Sequence, residues 1–70
     1  MKTSARNKFR GKVSAIQKGP ISSEVEVSLS GGDKIYAVVT NESIDQMGLK
    51  QGDKACAIFK AYSVILGVSG

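Results

Sequence analysis

The chain has 70 residues, a net charge of +4 and a hydrophobic fraction of 41%. That length allows one domain, over residues 1–70, and lies near the lower limit for an unaided fold, because small domains bury a smaller share of their surface. A single cysteine, Cys56, and no histidine exclude an internal disulfide and a Cys/His zinc site, so oligomerisation is the expected aid to folding.

Residues 6–15 alternate. Arg6, Lys8, Arg10 and Lys12 fall on one face of an extended strand, and Phe9, Gly11, Val13 and Ala15 on the other. Ile16 breaks that parity, which predicts a bulge or a strand end near it. Lys18-Gly19-Pro20 reads as a turn. Residues 22–29 alternate again, with Val25, Val27 and Leu29 inward and Glu24, Glu26 and Ser28 outward. Gly31-Gly32-Asp33 predicts a hairpin turn. Residues 35–39 are apolar on both faces, which predicts burial inside a barrel or under a partner subunit. Ser43-Ile44-Asp45-Gln46 has capping-box spacing, with Ser43 as N-cap, and Gly48 stops the short helix. Gly52-Asp53 turns the chain into two last strands, residues 54–60 and 63–68. Ala57, Phe59, Val64, Ile65 and Leu66 are their core candidates. The expected architecture is all-β: a small five-stranded OB-like barrel with one short helical turn between strands 3 and 4.

No apolar run approaches the roughly 20 residues of a membrane-spanning helix. The basic start is followed by no apolar segment, so a signal peptide is not expected and the expected compartment is the cytoplasm. An unpaired cysteine suits that compartment. Catalytic chemistry is poorly supplied, and an enzyme is not expected. There is no histidine, Cys56 sits in an apparent strand as a small hydrophobe, and no phosphate-binding glycine pattern occurs.

The charge is unevenly spread. Lys2, Arg6, Lys8, Arg10, Lys12 and Lys18 supply six of the ten basic residues, and all precede the first acid, Glu24. Such asymmetry points to an anionic partner: nucleic acid, an acidic membrane surface or a small oxyanion. Ser4, Arg6, Asn7, Ser43 and Lys60 form a set rich in hydrogen-bond donors. Lys60 ends an apolar run, and Ser43 stands where helix N–H groups would attract an anion. Each also has an ordinary reading: Arg6 coats a strand, Ser43 caps a helix, and Lys60 extends its ammonium to water.

Ser4-Ala5-Arg6-Asn7 followed by Gly11-Lys12-Val13 resembles the opening signature of the Mop (molbindin) family, molybdate-binding modules related to TOBE domains. The resemblance continues through Gly31-Gly32, Val39-Thr40-Asn41-Glu42-Ser43, residues 49–52 and Lys60-Ala61, and covers nearly the whole chain. It implies that molybdate is held by Ser4, Arg6, Ser43 and Lys60, with the Ala5 backbone N–H as a further donor and Asn7 in support. It also implies a homo-oligomer, a hexamer with sites between subunits, and tungstate as a second ligand. No direct protein–metal bond and no covalent cofactor are implied. The chemistry agrees. Molybdate near neutral pH is a dianion whose oxygens only accept hydrogen bonds, whereas phosphate keeps a proton that a site made of donors cannot receive. The role implied for a bare binding module is molybdenum storage or delivery. The alternative is an OB-type nucleic-acid binder, resting on the stripe Arg6, Lys8, Arg10, Lys12.

Overall fold

The computed structural model describes residues 2–69. Four antiparallel strands form one curled sheet in the order β3-β2-β1-β4. They are β1 (Asn7–Lys18), β2 (Ser22–Leu29), β3 (Lys34–Thr40) and β4 (Lys54–Phe59). A helix, α1 (Asn41–Met47), joins β3 to β4, and a 3-10 turn (Ala61–Ser63) follows β4.

The alternation of β1 and β2 follows the sequence except at Ala15, which was expected on the inner face and is exposed, and the parity break has a local cause. The β1–β2 register shifts between Val13 and Ala15, leaving Ser14 as the extra residue of a bulge. One inserted residue returns Ile16 to the inner face, where it packs on the core of Val13, Val25 and Val27. Gly11 lies on that inner face because β1 passes close to β2. An added Cβ would strike the Ser28 carbonyl oxygen.

The bulge is tied down by charge. The Ser14 hydroxyl donates to Glu26 Oε1 at 2.8 Å, and Lys34 Nζ lies 3.3 Å from the same oxygen. The Ser14 hydrogen bond first, and then the Lys34 ammonium, hold the Glu26 carboxyl below the usual carboxylate range. A folded-state value below the unfolded one gives stabilisation that is present above the ordinary glutamate range. It is lost as pH falls through the folded value. Melts across the acid range are therefore expected to show a shallower loss of stability for Glu26→Gln than for the parent below roughly pH 4.3. Equal slopes would mean that Glu26 plays no part in acid unfolding.

Two expectations are corrected. The fifth strand over residues 63–68 is absent. After the 3-10 turn residues 64–69 form no strand, and Ile65, Leu66 and Val68 are 94%, 90% and 99% exposed. The core candidates Val64, Ile65 and Leu66 therefore lie outside the core, while Ala57 and Phe59 are half-buried. The N-cap of α1 is Thr40, not Ser43. Thr40 keeps extended dihedrals (φ −62°, ψ 145°) and its hydroxyl accepts from the Ser43 N–H at 3.2 Å. The predicted stop holds, with Gly48 left-handed at φ 63°.

β3 and β4 are the outer strands of the sheet, so the barrel is open between them. A trough of about 660 Å³ runs along the opening, lined by Val25, Val27, Ile35, Ala37, Val39 and Leu49 among others. Fully buried apolar residues are few: Ala5, Val13, Val25 and Val27 among the described residues. The outer face of β3 also leaves Tyr36 and Val38 58% and 77% exposed. The doubly apolar strand therefore has one face uncovered in the single chain.

Candidate functional site

Pairing of β1 with β4 builds one end of the molecule. Asn7 lies opposite Phe59, so Arg6 and Lys60 each stand one residue beyond that pair. Ser4 and Ala5 lead into the same strand end. Ser4, Arg6 and Lys60 are exposed, Asn7 is half-buried, and Ala5 is 8% exposed. Lys60 Nζ lies 5.7 Å from the centroid of the Tyr62 ring, which holds the ammonium by cation–π attraction. The ion pair found among the described residues is Lys34–Glu26, so Arg6 and Lys60 have no carboxylate against them there. The Ala5 N–H donates to the Thr3 hydroxyl at 3.2 Å, and an anion would have to displace that contact.

Ser43 lies at the other end. β3 finishes at Thr40, whose Cα partner is Ser22, beside the β1–β2 turn. The whole of β1, Asn7–Lys18, separates that turn from Asn7. Twelve residues of strand span on the order of 30 Å, and the longest dimension of the molecule is 38 Å. The structure thus brings Ser4, Ala5, Arg6, Asn7 and Lys60 together within one chain and keeps Ser43 apart from them.

The surroundings of Ser43 differ from the sequence expectation. It is the third residue of α1, and its N–H is taken by Thr40. What it offers is its hydroxyl. The Thr40 hydroxyl donates to Ser43 Oγ at 2.8 Å, which leaves the Ser43 proton to donate elsewhere. Thr40 was not singled out from sequence. A Thr three residues before Ser43, at the end of an apolar strand, was the available signal.

The rest of the basic stripe follows Arg6 along β1. Lys12 lies opposite Lys54, and Lys8 and Arg10 alternate along the same side of β1. Like charges directly opposed across two strands are unfavourable, so this face presents field to solvent and little cohesion. The 660 Å³ trough is not a chemical match for a dianion, because its walls are mostly aliphatic and anions need fixed donors. Among the described residues no cluster of three or more Cys, Asp or Glu could hold a metal ion. Among the described residues no helix is long and apolar enough to cross a membrane.

Residues 3–66 match the TOBE domain family. The chain is 38% identical over 66 residues to molybdenum-pterin-binding protein 3 of Clostridium pasteurianum, covering 94% of this chain and 97% of that protein. It is 44% identical over 70 residues to the molybdenum transport protein ModE of Azotobacter vinelandii, of which it spans 26%. The structure resembles that of ModG, a cytoplasmic molybdate-binding protein solved with molybdate bound. The TM-score is 0.93 with 43% identity, over 99% of this chain and 49% of that one. The same unit therefore makes up nearly all of the first protein, about a quarter of the second and about half of the third.

Proposed function

The chain belongs to the TOBE domain family, and we propose that it is a molybdate-binding protein whose sites form between copies of the chain. The observation that carries this reading is the separation of the donors. Arg6, Lys60 and Ser4 gather at one end of β1 while Ser43 sits at the other. A single small oxyanion touched by all of them needs the first group from one copy and Ser43 from its neighbour.

The donor chemistry suits the ligand. Arg6 and Lys60 supply positive charge, and the serine hydroxyls supply neutral donors. Molybdate presents acceptors alone, so every contact can be satisfied. Tungstate offers the same charge and the same acceptors and binds as well. The protein stores and delivers molybdenum in the cytoplasm as a homo-hexamer and catalyses no reaction. Ligand and assembly support each other, because an anion that bridges copies stabilises the assembled form by mass action.

The cations Lys8, Arg10, Lys12 and Lys54 favour the nucleic-acid alternative. The exposed aromatics are scattered and form no stacking platform along that stripe: Phe9 alternates with Lys8 and Arg10 in β1 and stacks on Phe59 at 5.8 Å between centroids, and Tyr36 and Tyr62 lie on other elements. Calorimetry with molybdate, tungstate and sulfate tests the leading reading, with an oligonucleotide titrated at several salt concentrations beside it. Molybdate and tungstate are expected to bind and to raise the melting temperature. Oligonucleotide binding that weakens steeply with salt, with no heat from either oxyanion, would establish the alternative.

A further inference from the structure

α1 is a poorly anchored element. It has seven residues and no fully buried side chain, and a helix that short has little stability of its own. Ile44 packs against the valine core, while Met47 is 61% exposed. Its first residue, however, makes three hydrogen bonds away from the helix. The Asn41 N–H donates to the Ile21 carbonyl at 2.8 Å. Asn41 Nδ2 donates to the Gly19 carbonyl at 2.9 Å, and Oδ1 accepts from Ser23 Oγ at 2.5 Å. Ser23 is 2% exposed, so this amide is held where water does not compete well.

All three partners belong to the β1–β2 turn and the start of β2. Gly19 serves the same junction. The turn is tight enough that an added Cβ would stand 2.5 Å from the Ser22 carbonyl oxygen, so the acceptor for Nδ2 is itself fixed in place. Three contacts in different directions set both the position and the rotation of the first turn of α1. Ser43 follows two residues later, with its N–H tied to Thr40.

We propose that Asn41, clamped to Ser23 and Gly19, is the positioning residue that sets the Ser43 hydroxyl against the bound oxyanion. The proposal rests on the reading that Ser43 contacts that anion. Asn41 touches no ligand; it acts through Ser43. A hydroxyl must lie within a few tenths of an ångström of its hydrogen-bond distance to count, and a seven-residue helix that slides or rolls loses that geometry.

A double-mutant cycle reads this directly. Molybdate affinity is measured by calorimetry for the parent, Asn41→Ala, Ser43→Ala and the double variant, with melting of the ligand-free proteins alongside. Ser43→Ala keeps the cap, because Thr40 accepts from the backbone N–H. It is expected to weaken binding about tenfold, the loss of one hydrogen bond to a charged ligand. Asn41→Ala is expected to weaken binding by a similar factor when Ser43 is present, and less than about twofold when Ser43 is already alanine. A purely structural clamp would lower the melting temperature equally in both backgrounds and show no such non-additivity. Ser23→Ala removes one leg of the clamp, and is taken through the same cycle if Asn41→Ala does not fold.

An equal loss of affinity in both backgrounds, or none with Ser43 present, overturns the proposal. If Ser43→Ala itself leaves affinity unchanged, the Ser43 assignment falls and the proposal with it. That result differs from failure of the clamp alone, in which Ser43→Ala weakens binding and Asn41→Ala does not.

Discussion

Arg6→Ala and Lys60→Ala are each expected to weaken molybdate binding by about tenfold to a hundredfold while the fold persists. A hydrogen bond to a charged partner is worth about 1.5–3 kcal/mol, and that range gives those factors. Both side chains are exposed and neither is held by a carboxylate among the described residues, so their removal costs the single chain little. Lys8→Ala is the control. It shares the basic stripe and is exposed, but it lies inside β1, opposite Ile58, and outside the group of donors at the strand end. Its expected effect is small and vanishes as salt is raised, because it acts only through the field. Calorimetry at two ionic strengths separates the cases. If Lys8→Ala weakens binding as much as Arg6→Ala, the anion is attracted by diffuse charge, and the site at the end of β1 is wrong. Unchanged affinity in both Arg6→Ala and Lys60→Ala has the same consequence.

What could be read from the sequence was whatever depends on near neighbours. Period-two alternation marks β1 and β2 because each buries one face, and the Ile16 parity break marks the bulge at Ser14 for the same reason. Gly48 announces the end of α1 because its left-handed conformation is a local property. The tail carries the apolar run Val64-Ile65-Leu66, as apolar as β3, yet forms no strand. Strand formation needs a partner edge, and the single chain leaves residues 64–68 without one. The donor types of the candidate site were legible, and their residues came from family resemblance. Their division between two ends was not legible, because it follows from register: Asn7 against Phe59, and Ser22 against Thr40. The Asn41 clamp had no local signal either, since Ser23 lies 18 residues away in sequence.

Replacing Ile65 and Leu66 together with aspartate is expected to break the oligomer and, with it, tight molybdate binding. In one copy these side chains are 94% and 90% exposed, so two aspartates there should alter the stability of an isolated chain little. In an assembly the same residues have a place to go. The trough between β3 and β4 is lined mostly by aliphatic side chains, and both flanking strands lie at the edge of the sheet. A tail from a second copy would supply the missing fifth strand, cover Ile35, Ala37 and Val39, and bury the aliphatic side chains on its own inner face, where alternate residues such as Val64, Leu66 and Val68 point together. Burying each of those is worth roughly 1.5–3 kcal/mol. Aspartate in that position carries an unpaired charge into an apolar interface, a change that interfaces tolerate badly. Sedimentation of the parent should give a defined oligomer at micromolar concentration, and the double variant a smaller species that is still folded by circular dichroism. Molybdate affinity should fall with assembly, because Ser43 would no longer meet Arg6 and Lys60 of a neighbour. A double variant that sediments like the parent would show that the tail lies outside the interface. A parent that is a well-folded monomer would overturn the sites between copies, because one chain keeps Ser43 and the Arg6–Lys60 end apart.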